Sequence, residues 1–99
     1  MTVTIEPMTK EDIDDLFAEA DLIAKMAGFK NHHAMENFKI NASLGLIQFG
    51  GSFAKPLGHA LAHADVHNTF KIISTFREMC KEHADLYIKF MKNRDEAQY

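Results

Sequence analysis

Apolar residues recur at helical spacing along almost the whole chain, and this periodicity restricts the fold more than any other feature. A first stripe runs from Ile13 to Ala27, and further stripes occupy segments 35–49, 53–64 and 66–90. Spacings of three and four residues place side chains on one face of an α-helix. The sequence therefore predicts an all-α protein, a small bundle of four helices in which the third is short and the fourth is long.

Capping residues indicate where these helices begin and end. Thr9, Asn31 and Asp65 each precede an apolar stripe and carry an oxygen that can accept a hydrogen bond from a free backbone amide. Gly28 and the glycine pair at 50–51 follow the first two stripes, where glycine commonly ends a helix. Because Asp65 begins a new helix, the short third helix is expected to end just before it.

A single helical domain is expected over residues 1–99, because a chain of this length builds one hydrophobic core. Thr2–Ile5 predicts a short extended arm, and the charged segment Lys92–Tyr99 predicts a frayed tail after a fourth helix that ends near Met91. No segment resembles a signal peptide or a membrane span, and the single cysteine, Cys80, allows no internal disulfide. These features favour a cytoplasmic protein.

The second and fourth predicted helices carry more apolar residues than one buried face can hold. Three apolar residues lie off the main stripe of the second helix, and those of the fourth helix cover more than half of its circumference. Such a helix is central in the fold or is covered by another subunit. We therefore expect a homo-oligomer. The residues expected in its interface are Ile40, Leu44, Ile47, Ile72, Met79 and Phe90.

Three histidines four residues apart, His59, His63 and His67, have the spacing of metal ligands on one helix. They would share a face only if the helix were unbroken, and the cap at Asp65 predicts a break that removes His67 from the row. Two remaining ligands do not hold zinc, which takes three or four. The sequence therefore predicts no metal site, and exposed neutral histidines explain the pair.

A binding face is a second use for these side chains. In an oligomer, basic residues could surround a pocket for an anionic, nucleotide-like ligand, with the dipole of the fourth helix assisting. A solvated face with scattered basic residues is the simpler alternative. The residues assigned to this ligand-binding or partner-binding face are Lys55, His59, His63, Lys71 and Arg77.

Catalysis is not expected from this sequence. Cys80 and His83 are three residues apart and could form a nucleophile and base, but a cysteine on an apolar helix face is usually a small core residue. No residues supply the orienting group and oxyanion donors that such a pair needs. We predict no enzyme activity, no catalytic residues and no cofactor. The net charge of -3 also makes a nucleic-acid partner unlikely.

Residues 56–79, PLGHALAHADVHNTFKIISTFREM, combine small, apolar and capping residues in one pattern. The positions that carry it are Leu57, Gly58, Ala60, Leu61, Ala64, Asp65, Asn68, Ile72 and Phe76. The pattern resembles small, largely uncharacterised helical proteins of phages and prophages. The resemblance implies a phage origin and carries no activity with it. It makes a host enzyme or a host-defence complex the expected target of an accessory protein that acts by protein binding in the host cytoplasm.

Overall fold

The computed structural model describes residues 10–97, and side chains from residue 17 to residue 94. This part of the chain is all-α, as predicted, and it forms five helices. They are α1 (Lys10–Met26), α2 (His32–Phe49), α3 (Ala54–Ala62), α4 (Val66–Thr75) and α5 (Arg77–Ala97). The expected arm at Thr2–Ile5 and the expected cap at Thr9 lie outside the described residues. The segment expected to fray, from Lys92 onward, is helical as far as Ala97.

The predicted long fourth helix is in fact α4 and α5, so the expected count of four helices was wrong. The break is at Phe76, whose φ of -114° and ψ of 40° depart from helical geometry. The hydrogen bonds continue across it, because the Phe76 amide donates to Ile72 and its carbonyl accepts from Cys80. The ring of Phe76 packs edge-on against Phe53, with centroids 5.7 Å apart. This contact joins segments that are distant in the sequence.

Three predicted helix termini are confirmed. The side chains of Asn31 and Asp65 accept hydrogen bonds from the amide three residues further on, at 2.9 and 2.8 Å. Gly28 has a φ of 92°, a left-handed conformation that glycine adopts without strain. The amide of Phe29, the next residue, donates to the carbonyl of Ala24 at 2.9 Å, which completes a Schellman motif. Each terminus is stabilised by local contacts.

Helix α2 lies at the centre of the fold, in contact with α1, α3 and α5. Two glycines within helices allow neighbouring helices to approach closely. Gly45 faces the backbone of α5 at His83, and Gly58 on α3 faces Leu46 and the carbonyl of Ser43 on α2. A Cβ atom at Gly58 would lie 2.8 Å from the Cβ of Leu46, closer than packed atoms tolerate. Gly58 therefore allows α3 to pack closely on α2, and Gly45 allows the same for α5.

Helices α2 and α5 run side by side in the same direction. Phe38, in the first half of α2, lines a cavity with Arg77 and Lys81 at the start of α5. Phe49, the last residue of α2, contacts Phe90 near the end of α5, with ring centroids 5.5 Å apart. Parallel neighbours need a connection that returns to the starting end, and α3 and α4 provide it. The break at Phe76 is what lets the chain turn from α4 into α5.

One buried residue near this core is charged. Lys39 exposes only 9% of its surface, and its Nζ donates to the carbonyl of Ala64 at 2.7 Å. Glu36, one turn earlier on α2, lies 3.7 Å from the same nitrogen. A buried ammonium group is tolerated only when such partners satisfy it. Lys39 therefore ties α2 to the junction between α3 and α4.

Within the described residues, no helix combines the length and the apolar character that crossing a membrane requires.

Candidate functional site

An apolar surface on α2 and α3 contains three of the six residues expected in an interface. Ile40 and Leu44 expose 48% and 40% of their surface, and Ile47 is partly exposed beside them. Together with Ala62 of α3 they line a shallow cavity of about 160 Å³. We call Ile40, Leu44, Ile47 and Ala62 the α2 face.

The α2 face lies in a part of the chain that has no charge. The sequence contains no Asp, Glu, Lys or Arg between Lys39 and Lys55. The charged residues that line the cavity are Glu36 and Lys39, and these two are paired with each other at its edge. Depletion of charge distinguishes the centre of a protein interface from other surface. Contiguous exposed apolar residues of this kind usually mark a binding site.

The other three residues expected in the interface lie elsewhere. Ile72 on α4 and Met79 on α5 are partly buried and pack against the core of their own chain. Phe90 exposes 37% of its surface and contacts Phe49 at the end of α2. Ile72 and Met79 are therefore largely covered by their own chain, whereas Phe90 remains partly exposed.

The five residues assigned to an anionic ligand are spread over several elements. Lys55 and His59 are exposed on α3, His63 follows that helix, and Lys71 is exposed on α4. Arg77, at the start of α5, donates from its guanidinium to the carbonyl of Ala27 at 3.0 Å. This bond satisfies a carbonyl at the end of α1, so Arg77 has a structural role.

The row of three histidines is broken where the cap at Asp65 predicted. α3 ends at Ala62, and His67 belongs to α4, where its Nε2 lies 3.5 Å from Oε1 of Glu19 on α1. Among the residues that the structure describes, no three His, Cys, Asp or Glu side chains are grouped closely enough to hold a metal ion.

The Cys80–His83 pair is not arranged as a nucleophile and base. Nδ1 of His83 lies 2.8 Å from the carbonyl oxygen of Met79 and donates to it, one turn back on the same helix. Cys80 is fully buried, and this burial raises the pKa of its thiol. A higher pKa leaves less of the thiolate, which is the reactive form of cysteine. Cys80 is a core residue in this fold.

A cavity that the sequence did not predict lies between α1 and the first turns of α2 and α4. Its volume is about 350 Å³. Apolar side chains form much of its wall, and two imidazoles and one carboxylate stand beside them. We call this cavity the junction pocket. The residues that line it are Phe17, Glu19, Ala20, His32, Val66 and His67.

Asp21 holds His32 in one orientation at this pocket. Oδ1 of Asp21 accepts a hydrogen bond from the His32 backbone amide at 2.9 Å and lies 2.5 Å from Nδ1 of the same residue. The imidazole also stacks on Phe17, with centroids 5.2 Å apart and ring planes 13° from parallel. Because Nδ1 faces Asp21, Nε2 is the ring nitrogen left for another partner.

The same contacts change the acidity of Asp21. The backbone amide of His32, and then its ring, donate to the carboxylate and hold the pKa of Asp21 below its usual range. A carboxyl whose pKa is lower in the folded state stabilises the fold above its unfolded pKa of about 3.9. That stabilisation is lost as the pH falls through the folded pKa.

We expect Asp21→Asn to unfold at a lower urea concentration than the wild type at neutral pH. The difference should narrow as the pH falls below about 4 and vanish below the folded pKa of Asp21. Urea unfolding followed by circular dichroism at a series of pH values measures both midpoints. Asp85→Asn, which removes an exposed carboxylate from α5, is the control. A difference that stays constant from neutral pH to about pH 2 would contradict the assignment.

Sequence reasoning missed the junction pocket because its parts come from separate helices. His32 has the sequence context of an ordinary polar residue in the opening turn of a helix, and its partner Asp21 is eleven residues away. His67 meets Glu19 across a still longer separation. No helical periodicity connects such positions. The one available signal was the density of carboxylates on α1 and of histidines at the start of α2 and α4.

Comparison with known proteins adds no relative, since no family model, no curated protein and no solved structure matches the chain. The resemblance of residues 56–79 to phage proteins therefore stays a prediction.

Proposed function

We propose that this protein acts by binding other proteins, without catalysis, and that it forms a homo-oligomer through the α2 face. The observation that carries the proposal is the exposure of Ile40 and Leu44 in a segment without charged residues. Burial of exposed apolar surface by a partner favours association, by about 25 cal/mol for each Å² removed from water.

The area of a typical protein interface indicates that the binding surface extends beyond the α2 face. A stable interface buries about 800 Å² on each partner, and the four residues of the α2 face are too few for that area. The uncharged segment from 40 to 54 also contains Phe49 and Phe53, which are both exposed. Aromatic residues are enriched in interfaces. The proposed interface therefore includes the α2 face and part of the segment that follows it.

A second copy of the chain suits an uncharged apolar surface. Each chain carries a net charge of -3, so two copies repel one another over most of their surfaces. Repulsion between the two copies is smallest when they meet through a surface without charge. A two-fold axis through α2 would also let the same residues serve both subunits.

The further partner that we propose is a host protein. The support is the resemblance of residues 56–79 to small phage and prophage proteins, which would make this chain a phage-type accessory protein in the host cytoplasm. A host enzyme or a host-defence complex is then the proposed target, and inhibition by occupation of its surface is the proposed action. The negative net charge favours a protein target over nucleic acid.

Leu44→Glu is expected to abolish self-association. A carboxylate at the centre of an apolar interface would lose its water without gaining a partner, and the dissociation constant should rise about 100-fold or more. Light scattering and sedimentation over a range of protein concentrations measure this change. Leu22→Glu is the matched control, because Leu22 is an exposed leucine on α1, away from the α2 face. Circular dichroism verifies that both variants keep their helices.

Two results would refute the self-association that we propose. One is a wild-type protein that stays monomeric from about 1 μM to about 1 mM, the range of weak to moderate affinities. The other is equal dissociation of Leu22→Glu and Leu44→Glu, because the interface would then not be specific to the α2 face. A pull-down from bacterial lysate with the wild type and Leu44→Glu then tests whether the host target uses the same surface.

A further inference from the structure

We propose that the junction pocket binds a small, neutral aromatic molecule that carries one O–H or N–H donor, as phenols and indoles do. The pocket shares no residue with the α2 face, so this proposal is independent of the protein-binding function. Three features of the pocket lead to it: its apolar walls, the orientation of His32 and the sign of the nearby charges.

The walls favour a flat apolar ligand. A volume of about 350 Å³ lies within the range of small-molecule sites, which begins near 300 Å³. Phe17 exposes 48% of its surface, although its ring is already stacked on His32. Ala20 and Val66 add aliphatic surface from α1 and α4. Aromatic ligands gain from offset or edge contacts with such a ring in addition to burial of their apolar area.

The orientation of His32 determines which polar group the ligand needs. The Asp21 carboxylate can only accept, so Nδ1 of His32 carries the hydrogen that lies between them. In a neutral imidazole the other nitrogen, Nε2, is then an acceptor. A ligand that pairs with Nε2 must donate a hydrogen bond. A phenol O–H and an indole N–H are donors attached directly to an aromatic ring.

The charges around the pocket disfavour an anion. Glu19 lines the pocket and Asp21 lies behind His32, so two carboxylates accompany two imidazoles. The positive ends of α2 and α4 are already compensated. Asp21 accepts from the His32 amide in the first turn of α2, and Asp65 caps α4. These two carboxylates would repel a carboxylate or phosphate ligand, whereas a neutral donor meets no such repulsion.

The test uses the full chain and three probes: indole, N-methylindole, which lacks the donor, and benzoate, which is an anion. Calorimetry is run at about pH 8, above the pKa of about 6.5 that an unperturbed imidazole has. We expect saturable binding of indole, and binding of N-methylindole and benzoate that is weaker by about tenfold. Phe17→Ala should weaken indole by a similar factor, since it removes one wall. His63→Gln, a change at an exposed histidine outside the pocket, should leave indole affinity unchanged.

Nuclear magnetic resonance of the imidazole nitrogens adds a readout of the hydrogen bond itself. Indole should shift the Nε2 resonance of His32 and leave that of His63 in place. Absence of saturable binding by indole would overturn the proposal. So would equal affinity for indole, N-methylindole and benzoate, because neither the donor nor the charge would then matter. Indole binding should persist in Leu44→Glu, and its loss there would instead place the ligand at the α2 face.

Discussion

Gly45→Ala is expected to destabilise the fold by about 2 kcal/mol, although alanine is the better helix former by about 1 kcal/mol. Gly45 faces α5, and a Cβ atom there would overlap the carbonyl oxygen of His83 and lie 2.6 Å from its carbonyl carbon. The obstacle is backbone, so no side-chain rotation relieves it. The two helices must separate, and the apolar contacts between α2 and α5 are weakened along their length.

Urea unfolding followed by circular dichroism measures this loss, and another glycine supplies the control. Gly51 lies just after α2, and a Cβ atom at that position would meet nothing within 4 Å. Its φ is not positive, so alanine is tolerated and should change the stability by less than about 1 kcal/mol. If Gly45→Ala were as stable as Gly51→Ala, α2 and α5 could not be as close as the structure places them.

Leu46→Ala is expected to cost about 3 kcal/mol, in the range of leucine truncations in well-packed cores. Leu46 is completely buried in the last turn of α2, where Gly58 of α3 packs against it. Removing its three terminal carbons leaves a cavity that the surrounding helices fill only in part. A domain of this size has a stability of roughly 5 to 15 kcal/mol, so this loss is a large share of the total.

Leu44→Ala, two residues earlier on the same helix, is the matched comparison for Leu46→Ala. Leu44 exposes 40% of its surface, and its truncation in the monomer should cost less than about 1 kcal/mol. Because association stabilises the folded state by mass action, unfolding is measured at two protein concentrations. The loss in Leu46→Ala should hardly depend on concentration. Equal losses for Leu44→Ala and Leu46→Ala at low concentration would contradict the burial of Leu46.

The predictions that the structure confirms concern features that depend on neighbouring residues. Asn31, Asp65 and Gly28 act through hydrogen bonds that span three to five positions, so their roles can be read from the residue types around them. The α2 face was also partly predictable. Ile40, Leu44 and Ile47 lie off the main apolar stripe of α2, and helical geometry alone places them together.

The junction pocket was not predictable in the same way. Its orienting pair, Asp21 and His32, forms because the turn after α1 brings the first residue of α2 against the side of α1. Its second pair, Glu19 and His67, forms because α4 packs on α1. Both pairs depend on angles between helices, and those angles arise from packing of side chains over the whole core.

By itself, the sequence determined the helical class, most helix ends and the excess of apolar residues on α2, because these depend on hydrogen bonds and periodicity within one or two turns. Only the tertiary structure decided where the last helix breaks. Phe76 has no proline or glycine beside it, so local preference would allow one long helix. The chain departs from helical geometry there because Phe76 packs on Phe53 and Arg77 binds the end of α1. Contacts between distant segments stabilise a conformation that local preference does not require.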